Sequence, residues 1–454
     1  MGCSSTPVLS LFLLYFSPVC SRGDVYIPAW LKNPNLTKMK TRYYILIALS
    51  AYLLYTPVPD GLAHPWKYRA LMASTRFLRL IAKAENIIWP DAPNDVTVFR
   101  NAFKLVTARQ ALEELGSNFK ARVTQFDGVK VRLYEPIKKS KSLLPGFVYF
   151  HGGGFAFGST AFDFLLYPLE LYDGLTRKIA DDLNAVVVSV DYRLSPEYPF
   201  PVPVEDSLKA AKWFITHAKE FGVDPKRIGL GGDSAGGWLT AIVTQLLHKE
   251  KIKVKVQMMV YPAISSLDTS SPSYQKYQHD FGHNGMLPLT TIARFYSYFI
   301  LGKRDKEFEQ LIIENNHVAS SQRQSTNMKT FFNHSLIPPE MRSDTYYKGP
   351  SDPNLGSESM WNKIKDVCLD YRYSAFNNLP LTGLPPAYII TCGFDSIRDE
   401  GIFYGEALKA DGVEVVWKHY EEGFHGIFWA SPAFVFELGE QMRKEAMEYV
   451  KRKL

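Results

Sequence analysis

Ser234 stands in Gly232-Asp233-Ser234-Ala235-Gly236-Gly237, between the apolar run Ile228–Gly231 and a helical stretch from Trp238 to Leu247. A serine on a sharp strand-to-helix turn is held above its sheet, and small neighbours let the chain turn and the helix pack closely. Its hydroxyl then sits at a helix N-terminus, where partial positive charge favours a developing anion. This is where a nucleophile for acyl transfer would be placed. A second glycine-rich loop, His151-Gly152-Gly153-Gly154-Phe155, follows the apolar run Phe147–Phe150. Backbone N–H groups without side-chain obstruction can stabilise the oxygen of a tetrahedral intermediate. Gly152 and Gly153 are the expected donors, with Ala235 as the third, while Gly154, Gly232, Asp233 and Gly236 support the two turns. No Lys-Ser/Thr follows the glycines, which argues against a phosphate loop. His151 is expected to shape its loop by hydrogen bonding, and acting as base is its alternative role.

An acyl-transfer serine needs a base, and the chain order Ser…Asp…His puts that base far downstream. His248, His279, His283, His317 and His334 do not follow a sheet strand. His419 falls inside a strand-like run and is expected to pack against a face. His425, in Gly423-Phe424-His425-Gly426, lies just past the end of that run and is the expected base. The acid should end the preceding strand, where Tyr388–Thr391 leads into Cys392-Gly393-Phe394-Asp395. Asp395 would hold the imidazole tautomer and stabilise the imidazolium. Asp399 and Glu400 compete for that role, but they fall in the next helix and are expected to cap it or face solvent.

These residues need a scaffold, and the hydrophobic pattern supplies one. Val123–Phe126, Asp127-Gly128 and Val129–Tyr134 read as a hairpin about a tight turn. Short apolar runs then alternate with helical segments: 147–150, 185–190, 228–232, 256–261, 388–391 and 413–420. Such runs predict an α/β fold with a mostly parallel central sheet and helices on both faces. A last helix from about Pro432 to Lys453 shows Leu438, Met442, Ala446 and Val450 at helical spacing. Between Pro262 and Leu384 the rhythm breaks into Asn, Ser and Pro clusters, and this stretch is read as a cap over the site. Residues 60–120 read as a helical N-terminal part of a lid, with Trp66, Phe77, Leu78, Leu80 and Ile81 as candidate apolar contacts.

The chain has 454 residues, 46% of them apolar, which is ample for a large core. The 52 basic and 46 acidic residues nearly cancel to +6, with no long basic block, so nucleic acid is not an expected partner. Neither a metal nor a cofactor is expected. Four cysteines are too few for a disulfide scaffold, and a Cys368–Cys392 bridge remains one option. Two apolar stretches, residues 7–20 and 43–55, fall short of the roughly 20 residues of a comfortable membrane span. The second has Lys38, Lys40 and Arg42 before it and Lys67 as the first basic residue after it. That asymmetry favours a signal anchor over residues 39–59, with the N-terminus cytoplasmic and the catalytic domain, residues 121–454, translocated. A buried helix of the soluble domain is the alternative. Residues 1–38 read as a leader with three options: a signal-peptide core at 7–20, a myristoylation pattern at Gly2 with Cys3 available for palmitate, or a natural start at Met39. Asn35 and Asn333 stand in glycosylation sequons, and this topology exposes only Asn333 to the lumen.

Together, His151–Gly154, Gly232–Gly237 and Asp191-Tyr192-Arg193-Leu194-Ser195-Pro196-Glu197 resemble the hormone-sensitive-lipase-like branch of the α/β-hydrolases. Ile390-Thr391-Cys392, Phe394-Asp395, Arg398-Asp399 and Glu422-Gly423-Phe424-His425-Gly426 look like the arylacetamide deacetylase family, which includes neutral cholesteryl ester hydrolases. The resemblance covers roughly Met39 to Leu454. It implies an α/β-hydrolase fold, cofactor-free cleavage of acyl esters or arylacetamides, and a single-pass type II endoplasmic-reticulum membrane protein with a lumenal catalytic domain. It also implies the triad Ser234, Asp395 and His425, and a glycan on Asn333. Close relatives can pair a cysteine of the glycine loop with the one at Cys392; here that loop position is Ala156. A lipase acting on sterol or acylglycerol esters, and a non-catalytic ligand-binding protein on the same fold, are the alternatives.

Overall fold

The computed structural model describes residues 55–88, 96, 100, 117–138, 140–158, 172–378, 380–434 and 436–454. They belong to one compact unit, residues 53–454. The leader and both N-terminal apolar stretches, up to Leu54, lie outside the described residues, as does most of 89–116.

In chain order the elements are α1 (Pro65–Ile88), β1 (Phe119–Phe126), β2 (Val129–Pro136), β3 (Leu144–Phe150), α2 (Asp173–Leu183), β4 (Val186–Val190), α3 (Val202–Thr216), β5 (Val223–Asp233), α4 (Ala235–Lys249) and β6 (Gln257–Val260). Then follow α5 (Pro272–Phe281), α6 (Leu289–Leu301), α7 (Lys306–Ile313), α8 (Ser320–Arg323), α9 (Thr326–Phe331), α10 (Glu358–Cys368), β7 (Ala387–Phe394), α11 (Arg398–Ala410), β8 (Val415–Phe424), α12 (Ile427–Phe434) and α13 (Glu437–Lys453).

Among the described residues the eight strands form one sheet in the order β1-β2-β4-β3-β5-β6-β7-β8. β1, β2 and β4 pair antiparallel, and every other pairing is parallel. The expected hairpin is present: Asp127 and Gly128 both take positive φ, 48° and 82°, as a two-residue hairpin turn requires. Alternation along β3 sorts the core into two layers. Phe147 and Tyr149 face α2 and α13 with Ile179, Met442 and Ala446, while Val148 and Phe150 face α3 and α4 with Phe214 and Leu239. Because both faces are covered, β4 can be buried at all five positions.

Residues 262–384 contain α5 to α10 joined by irregular segments, with no strand among the described residues. Three expectations change. The last helical stretch is two helices, α12 and α13, which meet at the buried Phe436. On α1 the packed face is Tyr68, Leu71 and Met72, at helical i, i+3, i+4 spacing, whereas Trp66 and Phe77 are exposed. Leu80 is half-buried; the side chains of Leu78 and Ile81 lie outside the described ones. Cys368 and Cys392 are both free and buried. They belong to the cores on opposite faces of the sheet, so the Cys368–Cys392 bridge does not form.

Candidate active site

Parallel strands carry the chemistry-bearing loops to their carboxyl ends, where ligands of such sheets bind. β5 ends at Asp233, immediately before Ser234; Asp395 follows β7, His425 follows β8 and His151 follows β3. Ser234 has φ 54° and ψ −120°, a strained conformation for a residue with a side chain. It persists because its surroundings hold it. The Ser234 N–H donates to the Val260 carbonyl at 2.9 Å, and the Ser234 carbonyl accepts from Trp238 and Ala263. A Cβ at Gly232 would strike the Gly236 carbonyl, and one at Gly236 would strike the carbonyl of Phe150. These two positions need glycine because backbone lies where a methyl group would go.

The three residues expected to act together do meet. His425 Nε2 lies 3.0 Å from Ser234 Oγ, and His425 Nδ1 lies 2.9 Å from Asp395 Oδ2. Asp395 Oδ1 accepts the N–H of Ile397 at 3.0 Å, which fixes the carboxylate. Asp395 and His425 are buried, whereas Ser234 is partly open. With Nδ1–H donating to Asp395, Nε2 is left to accept the serine proton. The Tyr261 ring backs the imidazole, with centroids 4.6 Å apart.

The oxyanion loop differs from expectation at one residue. The Gly152 N–H is already engaged, facing Tyr172 Oη at 3.0 Å and Asp233 Oδ1 at 3.1 Å. It is turned inward and is not a donor to substrate. The N–H groups of Gly153 and Gly154 meet no acceptor among the described residues, and Ala235, as the first residue of α4, has no partner within its helix. The loop turns because the Gly153 carbonyl accepts from Ala156 and Phe157, with Gly153 and Gly154 at φ 112° and 60°. His151 is buried within its own loop. Its Nδ1 contacts the Gly152 carbonyl at 2.8 Å, its ring stacks on Tyr192, and burial lowers its pKa.

Asp233 does more than support a turn. Its carboxylate accepts from Tyr149 Oη at 2.8 Å and Tyr172 Oη at 2.9 Å as well as from Gly152. Burial pushes its pKa up to about 6. Tyr149 and Tyr172 carry no sequence signal that separates them from ordinary core tyrosines.

Asp399 and Glu400 are not solvated. Asp399 pairs with the buried Arg398 at 2.7 Å and accepts the Ser273 N–H at 2.7 Å. Glu400 accepts the N–H groups of Ile264 and Ser265 and the hydroxyl of Tyr274, and burial raises its pKa to about 8. Both face the segment after β6 and α5, which covers this end of α11. His419 packs on its strand, hydrogen-bonded to Thr391 and Glu421. His317 and His334 are buried elsewhere, on the Ser266 carbonyl and on Asp268 with Tyr347. Asn333 is exposed, and its Oδ1 accepts the Ser335 N–H at 3.0 Å.

A serine hydroxyl, an imidazole and a carboxylate in sequence, with backbone N–H groups beside them at the carboxyl ends of the strands, form an arrangement that suits acyl transfer. A family model described as alpha/beta hydrolase fold matches residues 147–328 and 338–429. The chain is 34% identical to arylacetamide deacetylase of Oryctolagus cuniculus over 426 residues, 91% of this chain and 99% of that one. It is 33% identical to neutral cholesterol ester hydrolase 1 of Bos taurus over 420 residues, 90% of this chain and 98% of that one. Among solved structures it resembles EstE1, a thermostable carboxylesterase cloned from a metagenomic library, with TM-score 0.56 and 28% identity over 79% of this chain and 97% of that one. An esterase of Pyrobaculum calidifontis is similar at TM-score 0.56 and 27% identity, over 80% and 94% of the two chains.

Proposed function

This chain belongs to the α/β-hydrolase fold family, within its arylacetamide deacetylase and neutral cholesteryl ester hydrolase group, and is a carboxylesterase-like hydrolase; on that premise we propose that it cleaves carboxylic esters or arylacetamides through an acyl-enzyme on Ser234. The observation that carries this reading is the 3.0 Å approach of His425 Nε2 to Ser234 Oγ, with Asp395 behind the imidazole. His425 takes the serine proton as Oγ attacks the carbonyl carbon, and the oxyanion rests on the N–H groups of Gly153, Gly154 and Ala235. The imidazolium then protonates the leaving alcohol or amine, and water repeats the cycle on the acyl-enzyme.

The test is hydrolysis of p-nitrophenyl acetate, together with labelling by a fluorophosphonate probe, by the wild-type chain and Ser234→Ala. The variant should fold, lose the label and lose nearly all turnover. Equal turnover in the two proteins rejects the reading. A panel varying acyl length, with sterol esters, acylglycerols and arylacetamides side by side, then ranks the substrates.

The proposal extends to topology: residues 39–59 as a signal anchor, residues 1–38 before it, and the catalytic unit in the endoplasmic-reticulum lumen with a glycan on Asn333. The charge asymmetry around residues 43–55 and the exposure of Asn333 support it. No helix among the described residues is long and apolar enough to cross a membrane, and the anchor segment up to Leu54 lies outside them.

A further inference from the structure

We propose that Asp233 is the positioning residue of the oxyanion loop: its buried carboxylate gathers Gly152, Tyr149 and Tyr172 and thereby sets where the N–H groups of Gly153 and Gly154 point. The inference rests on the acyl-enzyme reading above and assigns a role to a residue outside the triad.

Three groups from two parts of the chain converge on this carboxylate. Tyr149 comes from β3 at 2.8 Å, Gly152 from the loop after β3 at 3.1 Å, and Tyr172 from the residue before α2 at 2.9 Å. Tyr172 Oη also lies 3.0 Å from the Gly152 nitrogen, so the glycine is held from two sides. The fit is close: a Cβ on Gly152 would lie 2.6 Å from Asp233 Oδ2 and 2.8 Å from the Asp233 carbonyl oxygen. Bonds to an ionised acceptor are shorter and roughly twice as strong as neutral ones. Asp233 has 2% of its surface exposed, so water does not compete for these bonds.

The consequence follows from connectivity. Asp233 is bonded through the chain to Ser234, and through hydrogen bonds to the residue before Gly153. Nucleophile and oxyanion cradle therefore share one anchor, and a shift of the loop relative to the serine has to break it. Gly153 and Gly154 take positive φ, and the Gly153 carbonyl closes the turn by accepting from Ala156 and Phe157, so the turn moves as a unit whose near end is Gly152. The carboxylate holds that end of the turn through the Gly152 N–H. Tyr192, Tyr261 and His425 also lie near enough to act on its charge.

The experiment compares wild type, Asp233→Asn, Tyr172→Phe and Ser234→Ala with p-nitrophenyl acetate and with a trifluoromethyl ketone. The ketone reports on the cradle because Ser234 Oγ adds to its carbonyl carbon, the serine proton passes to His425 and the ketone oxygen becomes the bound oxyanion. Asp233→Asn should lower kcat by at least about tenfold with KM within about twofold, the signature of an interaction made in the transition state. Affinity for the ketone should fall by a similar factor. Tyr172→Phe, which removes one oxygen, should shift both quantities in the same direction by less. A folded Asp233→Asn with wild-type kcat and ketone affinity overturns the proposal. If Asp233→Asn does not fold, an unchanged Tyr172→Phe overturns it instead. Wild-type protein without Ser234-dependent turnover is a different failure: it rejects the acyl-enzyme reading itself and this inference with it.

Discussion

Asp395 Oδ2 lies 2.9 Å from His425 Nδ1, and the other oxygen of the same carboxylate is held by the Ile397 N–H. The acid therefore has no freedom to turn away from the imidazole. Asp395→Asn would present an amide N–H to Nδ1 and favour the tautomer whose Nε2 carries the proton, so it could not accept one from serine. The expected loss in kcat on p-nitrophenyl acetate is about 10⁴-fold, with the melting temperature little changed. A variant that keeps kcat within about tenfold of wild type would show that Asp395 does not orient the base.

Gly154 has φ 60°, and a Cβ there would run into the ring of Phe295 on α6. Gly154→Ala should cost about 1–3 kcal/mol in urea unfolding from overpacking and backbone strain, and should also lower kcat. Adding Phe295→Ala should recover the steric part of the stability loss in a double-mutant comparison. Strictly additive losses would mean that the ring does not press on the loop.

Arg398 and Asp399 form an ion pair with both side chains almost wholly buried. Removing one partner leaves the other charge unpaired and away from water. Asp399→Asn keeps an acceptor for the Ser273 N–H but loses the charge. It should destabilise the domain by about 3–5 kcal/mol, measured as a lower urea midpoint at unchanged slope. A midpoint equal to wild type would contradict the buried pairing.

Glu400 should make stability fall as pH rises. Its carboxyl is raised from 4.5 to about 8 because burial disfavours the charged form. The folded protein then binds a proton that the unfolded chain releases across this interval. This contribution is fully present below about pH 4.5 and is lost as pH climbs through about 8. Asp233, raised to about 6, adds the same sign over a lower window. Urea unfolding at about pH 6 and about pH 9 should show the decline, and Glu400→Gln should flatten it. An identical pH slope in the variant would place the titration elsewhere.

Asn333 is exposed at the start of a short helical turn, while its neighbour His334 is buried against Asp268. With a lumenal catalytic unit, full-length protein from mammalian cells should shift in mobility on treatment with peptide N-glycosidase, and Asn333→Gln should abolish the shift. A glycan on Asn35 instead would reverse the proposed orientation.

The candidate site was legible in sequence because local chemistry encodes where its residues stand. Ser234 and His425 each sit at a strand end beside glycines, where turn geometry leaves few residue types workable. The strands were legible for the same kind of reason: Val186–Val190 is an unbroken β-branched run apart from Ser189, and Asp127-Gly128 specifies its hairpin. Amphipathic pattern says less about which face meets which neighbour. Trp66 and Phe77 looked like packing residues, yet the structure buries Tyr68, Leu71 and Met72.

What tertiary structure alone decided is the fate of polar groups whose partners are distant in the chain. Gly152 looked like a substrate donor until Asp233, 81 positions later, proved to hold its N–H. Glu400 looked like a solvated helix residue until Ile264 and Ser265, 136 and 135 positions earlier, proved to cap its carboxylate. The two cysteines invited a bridge until the sheet came between them. Periodicity and turn propensity report on backbone conformation within a few residues. Satisfying a buried donor or carboxylate depends on which segments the folded core brings into contact, and that is a property of the packed whole.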